Sequence, residues 1–190
     1  MTSQLFDYRQ LPEKRFTEIY QTLETYVEAT YDLDIITEQL PVDITGDFDG
    51  KVIKITNNLG PQLALFTLIH IVGHCIQWNI DPELRALGLT DFRTEPATEA
   101  DLLRVHSYED QASSYGITLL HEVGITYLDQ WVSDGAAADW KYLQDLYRRG
   151  KEVMQQDPFS GAYHIYGTPL LKPLPIPQFI PKVYESRFVF

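Results

Sequence analysis

The chain has 190 residues, of which 44% are hydrophobic and 22% are charged; this length and composition indicate one globular domain and exclude a wholly disordered protein. The formal charge is −12, and residues 1–50 carry eleven acidic but only three basic residues, which argues against direct binding to nucleic acid. The single cysteine, Cys75, excludes an intrachain disulfide, and we find no secretory signal and no membrane-spanning run. We therefore expect a cytoplasmic protein with no membrane partner.

The first half of the chain predicts a helix, a hairpin and a second helix. Apolar residues recur at helical spacing through residues 12–31, with acids between them. Residues 32–43 predict a strand or a loop. A turn signal at 47–50 then leads into residues 51–56, which are rich in β-branched side chains and predict a strand. An apolar helix is predicted from about residue 62 to 79.

The second half predicts two more helices and a tail. After a polar, acidic surface loop at 90–101, apolar periodicity indicates one helix over about 107–129 and another over about 133–149. Residues 158–190 hold six of the 11 prolines and seven aromatic residues, which favours an extended tail packed on residues 1–157 or on a partner. The predicted fold class is α+β, with a helical core, a small and mainly antiparallel sheet, and this tail.

Two histidines in the apolar helix predict a metal site. His70 and His74 lie four residues apart, so both imidazoles project from one helix face. This is the spacing of the zincin motif H-E-x-x-H, whose histidines bind zinc and whose glutamate is the general base. Ile71 stands at the glutamate position. Loss of a general acid or base typically slows a reaction by ~10²–10⁴-fold, so the motif favours metal binding over proteolysis.

A third ligand is needed, because catalytic zinc sites use three protein side chains. Glu109 is the candidate, near the start of the predicted helix over 107–129. Ala112 and Gly116 follow on the same helix face and lack bulk, so this helix can approach the histidine helix closely. The alternative is that Glu109 is an acid favoured by the dipole at a helix start and that the histidines are core residues.

Three stretches resemble the ImmA/IrrE metallopeptidase-like family. Residues 50–56 are similar to the strand before that family's active-site helix. Residues 66–74 read F-T-L-I-H-I-V-G-H, similar to F-T-L-A-H-E-L-G-H, and residues 109–120 are similar to E-x-x-A-x-x-F-A-x-x-L-L. The resemblance covers about residues 35–125 and implies a zincin-like fold. Some family members cleave or antagonise helix-turn-helix repressors, which implies a transcriptional repressor as a protein partner.

The resemblance also assigns residues. His70 and His74 match the two histidine ligands of zinc, Glu109 matches the downstream glutamate ligand, and Ile71 departs from the catalytic glutamate.

Three functions remain open at this point. The first is a metal-binding protein with a regulatory role, whose peptidase activity is weak or absent. The second is an active zinc peptidase with a relocated base, for which Asp110, Glu122 or a loop acid are candidates. The third is a non-enzymatic interaction module whose metal site has decayed.

Overall fold

The computed structural model describes residues 7–41, 44–90, 92, 97–149, 157–159 and 165–185. In this part of the chain, five α-helices accompany one three-stranded sheet, so the fold is mixed α+β as predicted. A short 3₁₀ turn comes first, at Tyr8–Gln10. The elements are α1 (Glu13–Tyr31), β1 (Asp34–Glu38), β2 (Gly46–Phe48), β3 (Val52–Thr56), α2 (Pro61–Ile80), α3 (Pro82–Gly88), α4 (Glu99–Glu122) and α5 (Asp129–Arg149).

The sheet is mixed, with β3 in the centre. β3 pairs in parallel with β1 over five residue pairs and antiparallel with β2 over three. The prediction of a mainly antiparallel sheet is therefore wrong, since the longer pairing is parallel. The physical reason is that β2 reverses the chain direction before β3, and β1 pairs with the other edge of β3.

The predicted hairpin signal at residues 47–50 is confirmed by the pairing of β2 with β3. The Asp49 carboxylate accepts hydrogen bonds from the backbone N–H groups of Lys51 (2.9 Å) and Val52 (2.8 Å). Gly50 has φ +99°, a left-handed conformation that glycine adopts without steric penalty. The turn chemistry thus fixes β2 beside β3.

Helix α2 is the core helix of the fold. It packs against α1, α3, α4, β2 and β3, and its residues are buried almost continuously from Leu65 to Trp78. By length and composition it could also cross a membrane, but most of it is enclosed by the rest of the chain. A helix surrounded on all sides is expected to be apolar on all sides.

Helix α4 begins at Glu99, earlier than the predicted start at 107. The Thr98 hydroxyl accepts a hydrogen bond from the backbone N–H of Asp101, whose carboxylate accepts one from the backbone N–H of Thr98. This reciprocal cap stabilises the first turn. The end of the predicted loop at 90–101 is therefore helical, and its middle lies outside the described residues.

Helices α2 and α4 approach each other closely through small residues. A Cβ on Gly73 would overlap the backbone carbonyl group of Ala112, and a Cβ on Gly116 would lie 3.2 Å from the Cβ of Ile69. The expectation that Ala112 and Gly116 allow close approach agrees with this packing. Gly73 supplies the tightest contact.

Of the predicted tail, the structure describes residues 158–159 and 165–185. The segment 165–185 forms neither helix nor strand and lies along the helices and the hairpin. The Thr168 backbone N–H donates to Asp134 on α5 (2.9 Å), and Thr118 on α4 donates to the Leu174 carbonyl (2.7 Å). Near the end of this segment, the Tyr184 backbone N–H donates to the carbonyl oxygen of Asp49 in the β2–β3 turn (2.7 Å).

Candidate metal centre

Helix α2 presents His70 and His74 from successive turns. Their rings are nearly perpendicular, with centroids 4.5 Å apart and an interplanar angle of 89°. Their Nε2 atoms lie 3.0 Å apart. The shared face that the spacing predicts is therefore present, and both ring edges point to one place.

Helix α4 brings Glu109 to the same place. Its Oε2 atom lies 3.0 Å from His70 Nε2 and 3.1 Å from His74 Nε2. Glu109 lies about three turns into α4, so the alternative that it is an acid at a helix start is wrong. Its reach to the histidines depends on the close approach of α4 to Gly73.

The three ligand atoms form a triangle with edges of 3.0, 3.0 and 3.1 Å. Around one tetrahedral zinc ion with bonds of about 2.0–2.1 Å, neighbouring ligand atoms lie roughly 3.4 Å apart, so the triangle is near the size that one cation requires. Two imidazole nitrogens and a carboxylate oxygen form a donor set that suits zinc and other divalent transition metals. The cluster can hold a metal ion.

The cluster is largely shielded from solvent, and Glu109 is ionised within it. The side chains of His70, His74 and Glu109 are 13%, 2% and 9% exposed. Burial alone raises the pKa of Glu109, but the charge of His74 and the hydrogen bonds to both histidines outweigh it and lower the pKa to about 2. An anionic oxygen therefore faces both imidazoles.

Gln77 orients the ring of His74. The Gln77 side-chain nitrogen donates to the Tyr108 carbonyl and to the Gln111 side-chain oxygen, both at 2.8 Å. Its oxygen therefore faces His74 Nδ1, at 2.8 Å, and Nδ1 must be the donor. In the neutral ring this leaves a lone pair on Nε2, where a metal would bind.

Ser113 has the corresponding place beside His70, with its Oγ 3.1 Å from His70 Nδ1. Neither Gln77 nor Ser113 was predicted from the sequence. A signal existed for Gln77, which is an amide in an otherwise apolar run, three residues after His74; in the structure it is fully buried. Ser113 lies on α4 and gives no local signal.

Aromatic rings enclose the imidazoles. His74 has Tyr108 stacked on it (centroids 4.5 Å apart) and Phe48 at 6.1 Å in a near-parallel orientation. Phe66 stacks on His70 at 5.6 Å. These apolar walls lower the local polarity and strengthen any interaction with a cation.

Ile71 places no polar group at the site. It is 4% exposed, and its Cδ1 atom lies where a Cβ on Gly46 of β2 would project. The side chain therefore fills the space between α2 and the sheet edge, and the chemistry of the usual glutamate is absent from this position.

The two acids named as replacement bases have other partners. Asp110 lies 3.7 Å from the Nε2 of His106, and burial raises the pKa of Asp110. Glu122 accepts hydrogen bonds from Tyr31 (2.7 Å) and Tyr26 (3.3 Å). It lies roughly 20 Å further along α4 than Glu109, too far to act at the cluster.

A third carboxylate, that of Asp139 on α5, is affected by the charges of the cluster. Burial raises the pKa of Asp139 to about 6, the charge of His70 opposes this shift, and the charge of Glu109 adds to it. Asp139 was not predicted from the sequence, because no local pattern relates it to a histidine 69 residues earlier.

Within the described residues, His70, His74 and Glu109 form the one group of three metal-ligating side chains whose ligand atoms all lie close together. Comparisons with family models, with curated proteins and with solved structures find no match.

Proposed function

We propose that this chain is a metal-binding protein of the ImmA/IrrE metallopeptidase-like type, which holds zinc with His70, His74 and Glu109 and has weak or no peptidase activity. One observation carries the proposal: three ligand atoms from two helices meet within 3.1 Å of one another in a buried place. Gln77 adds support, because it holds the His74 ring with its lone pair towards the other two ligands.

We extend the proposal to a zincin-like core with an extended tail over residues 158–190, in a cytoplasmic protein. The arrangement of the elements supports this. The helix that carries the two histidines, α2, lies against the edge strand β2, and a second helix, α4, contributes the carboxylate of Glu109. The contact of Ile71 with Gly46 joins α2 to that strand. The hydrogen bonds of segment 165–185 with α4 and α5 support the tail.

Metal content tests the proposal directly. Protein purified without chelator is expected to contain about one zinc per chain, and His70→Ala is expected to lose it, since two ligands do not make a stable zinc site. His121→Ala is the matched control. His121 lies in the last turn of α4, far from the cluster, and its Nε2 atom pairs with Asp129 of α5 at 2.7 Å. If the wild-type protein contains no stoichiometric metal, even after zinc is added, the proposal is refuted.

Hydrolysis of unstructured peptides tests the catalytic part. We expect little turnover by the zinc-loaded wild type, because Ile71 supplies neither a base nor an acid. Ile71→Glu is expected to raise the rate by at least ~10²-fold, the lower range for general acid–base catalysis. Glutamine has nearly the same shape as glutamate but no charge, so the Ile71→Gln variant should stay inactive. Efficient, zinc-dependent turnover by the wild type would contradict the proposal of weak activity.

The second candidate function is an active zinc peptidase with a relocated base. One feature favours it, namely that the charges of His70 and Glu109 act on the Asp139 carboxyl group of α5. In that case the wild type would hydrolyse peptides and Asp139→Asn would abolish the activity.

The resemblance further suggests a transcriptional repressor as the protein partner. Exposed acids on α1, at Glu13, Glu18 and Glu28, and the net charge of −12 favour a partner with a basic surface. Salt-sensitive binding to a helix-turn-helix repressor would support this part, and unchanged affinity in high salt would count against the acidic face.

A further inference from the structure

Helix α5 lies beside the metal centre through two independent contacts. Gly135 packs so closely on Phe66 that a Cβ there would lie 2.8 Å from the ring. Trp140 stacks on His106 of α4, with ring centroids 4.4 Å apart. α5 therefore contacts both ligand-bearing helices within this short stretch.

These contacts bring the part of α5 that carries Asp139 towards the metal centre. Gly135, one helical turn before Asp139, packs on Phe66, which lies one turn before His70. Trp140, the residue after Asp139, stacks on His106, which lies about one turn before Glu109. The charges of His70 and Glu109 both act on the Asp139 carboxyl group, as this placement requires.

The Asp139 carboxylate has no direct partner in the described part of the chain. It forms no hydrogen bond and no ion pair there, although the residue is only partly exposed. It also lies outside the group whose ligand atoms are all within 4.8 Å of one another. A partly buried carboxylate without a partner is unfavourable, and a cation at the neighbouring triangle would supply the missing charge.

We propose that Asp139 is the outer carboxylate of the metal centre: it would act on a bound cation by its charge, across a water, and would not be a direct ligand. This inference rests on the proposed function. A carboxylate in this position balances the cation's second positive charge, because Glu109 supplies only one negative charge.

Competition with a chromophoric zinc chelator at pH 7.5 tests the inference. Asp139→Asn is expected to weaken zinc binding by at least ~10-fold, the range for loss of an outer-shell partner, and Asp139→Glu should recover part of the loss. Asp110→Asn removes the same charge from a neighbouring position paired with His106, and should change affinity by less than about threefold.

The visible absorption spectrum of the Co²⁺-substituted protein provides a second measurement. Asp139→Asn is expected to alter the bands, because the water environment of the ion changes, whereas Asp110→Asn should leave them as in the wild type. Far-UV circular dichroism checks that each variant is folded. The metal-free Asp139→Asn protein is expected to be at least as stable as the wild type, because it lacks the partly buried charge.

The outcomes separate the two proposals. If the wild type binds no zinc, both fail. If the wild type binds zinc but Asp139→Asn binds it within about threefold and leaves the Co²⁺ spectrum unchanged, the metal site stands and the role of Asp139 is refuted. Equal losses in Asp139→Asn and Asp110→Asn would also refute it, since they would indicate a general effect of charge.

Discussion

Gly73→Ala tests whether the close approach of α2 and α4 builds the metal centre. The new Cβ would lie 2.7 Å from the backbone carbonyl carbon and 2.8 Å from the Cα of Ala112. Because the obstacle is backbone, the helices must separate by roughly 1 Å to restore an ordinary carbon–carbon contact distance. Overpacking of this kind costs about 1–3 kcal/mol, against a gain of about 0.5–1 kcal/mol from replacing glycine in a helix.

We expect Gly73→Ala to lower the free energy of unfolding of the metal-free protein by about 1–2 kcal/mol. Zinc affinity should fall by at least ~10-fold, because Glu109 lies one turn from Ala112 and binding sites tolerate displacements of only about 0.5 Å. Urea unfolding and chelator competition measure the two effects.

Gly116→Ala is the matched control on the opposite helix. Its Cβ would lie 3.2 Å from the Ile69 Cβ and 3.3 Å from the Ile69 backbone oxygen, distances at which the helices need to move apart far less than for Gly73→Ala. We expect a stability within about 1 kcal/mol of the wild type and zinc affinity within about threefold. If Gly73→Ala keeps the stability and the zinc affinity of the wild type, the contact between Gly73 and Ala112 does not set the geometry of the site.

Three further predictions concern the groups around the ligands. Gln77→Leu leaves the Nδ1–H of His74 without its acceptor and should weaken zinc binding by ~10–100-fold; an unchanged affinity by chelator competition would contradict the role of Gln77. The pKa of Glu109 is lowered to about 2, so its contribution to metal-free stability, at most about 3 kcal/mol, is present above pH 4.5 and is lost as the pH falls to 2. Urea unfolding against pH should show this slope in the wild type and not in Glu109→Gln. The pKa of Asp139 is raised to about 6, so its ionised form destabilises the metal-free protein above pH 6. Asp139→Asn should therefore raise the free energy of unfolding there, by at most about 3 kcal/mol before the reduction by solvent screening, and should have no such effect below pH 4. A gain that is the same at pH 4 and pH 8 would contradict this assignment.

Local patterns predicted the helices with strong periodicity. The predicted helix over 12–31 agrees with α1, and the one over 62–79 agrees with α2 within a residue at each end. The start of α4 was missed, because its first turns are rich in charged residues and the Thr98 cap was not recognised. The parallel pairing of β1 with β3 was also missed, since the direction of pairing depends on where β2 lies.

The sequence likewise predicted only part of the candidate site. The shared face of His70 and His74 follows from the period of one helix, and the bulk-free face of α4 indicated which helix would approach. The support from Gln77 needed the carbonyl of Tyr108, which fixes the amide orientation. That information belongs to the packing of two helices and is absent from any short stretch of sequence.

By itself, the sequence determined that two imidazoles project from one apolar helix and that no carboxylate follows the first of them at position 71, because both are properties of residues within one turn. Only the tertiary structure decided that Glu109 meets them at 3.0–3.1 Å and that the charges of the cluster act on Asp139 of α5. The reason is that these distances depend on how closely α2, α4 and α5 pack. The contact of Gly73 with Ala112 and that of Gly135 with Phe66 set that packing.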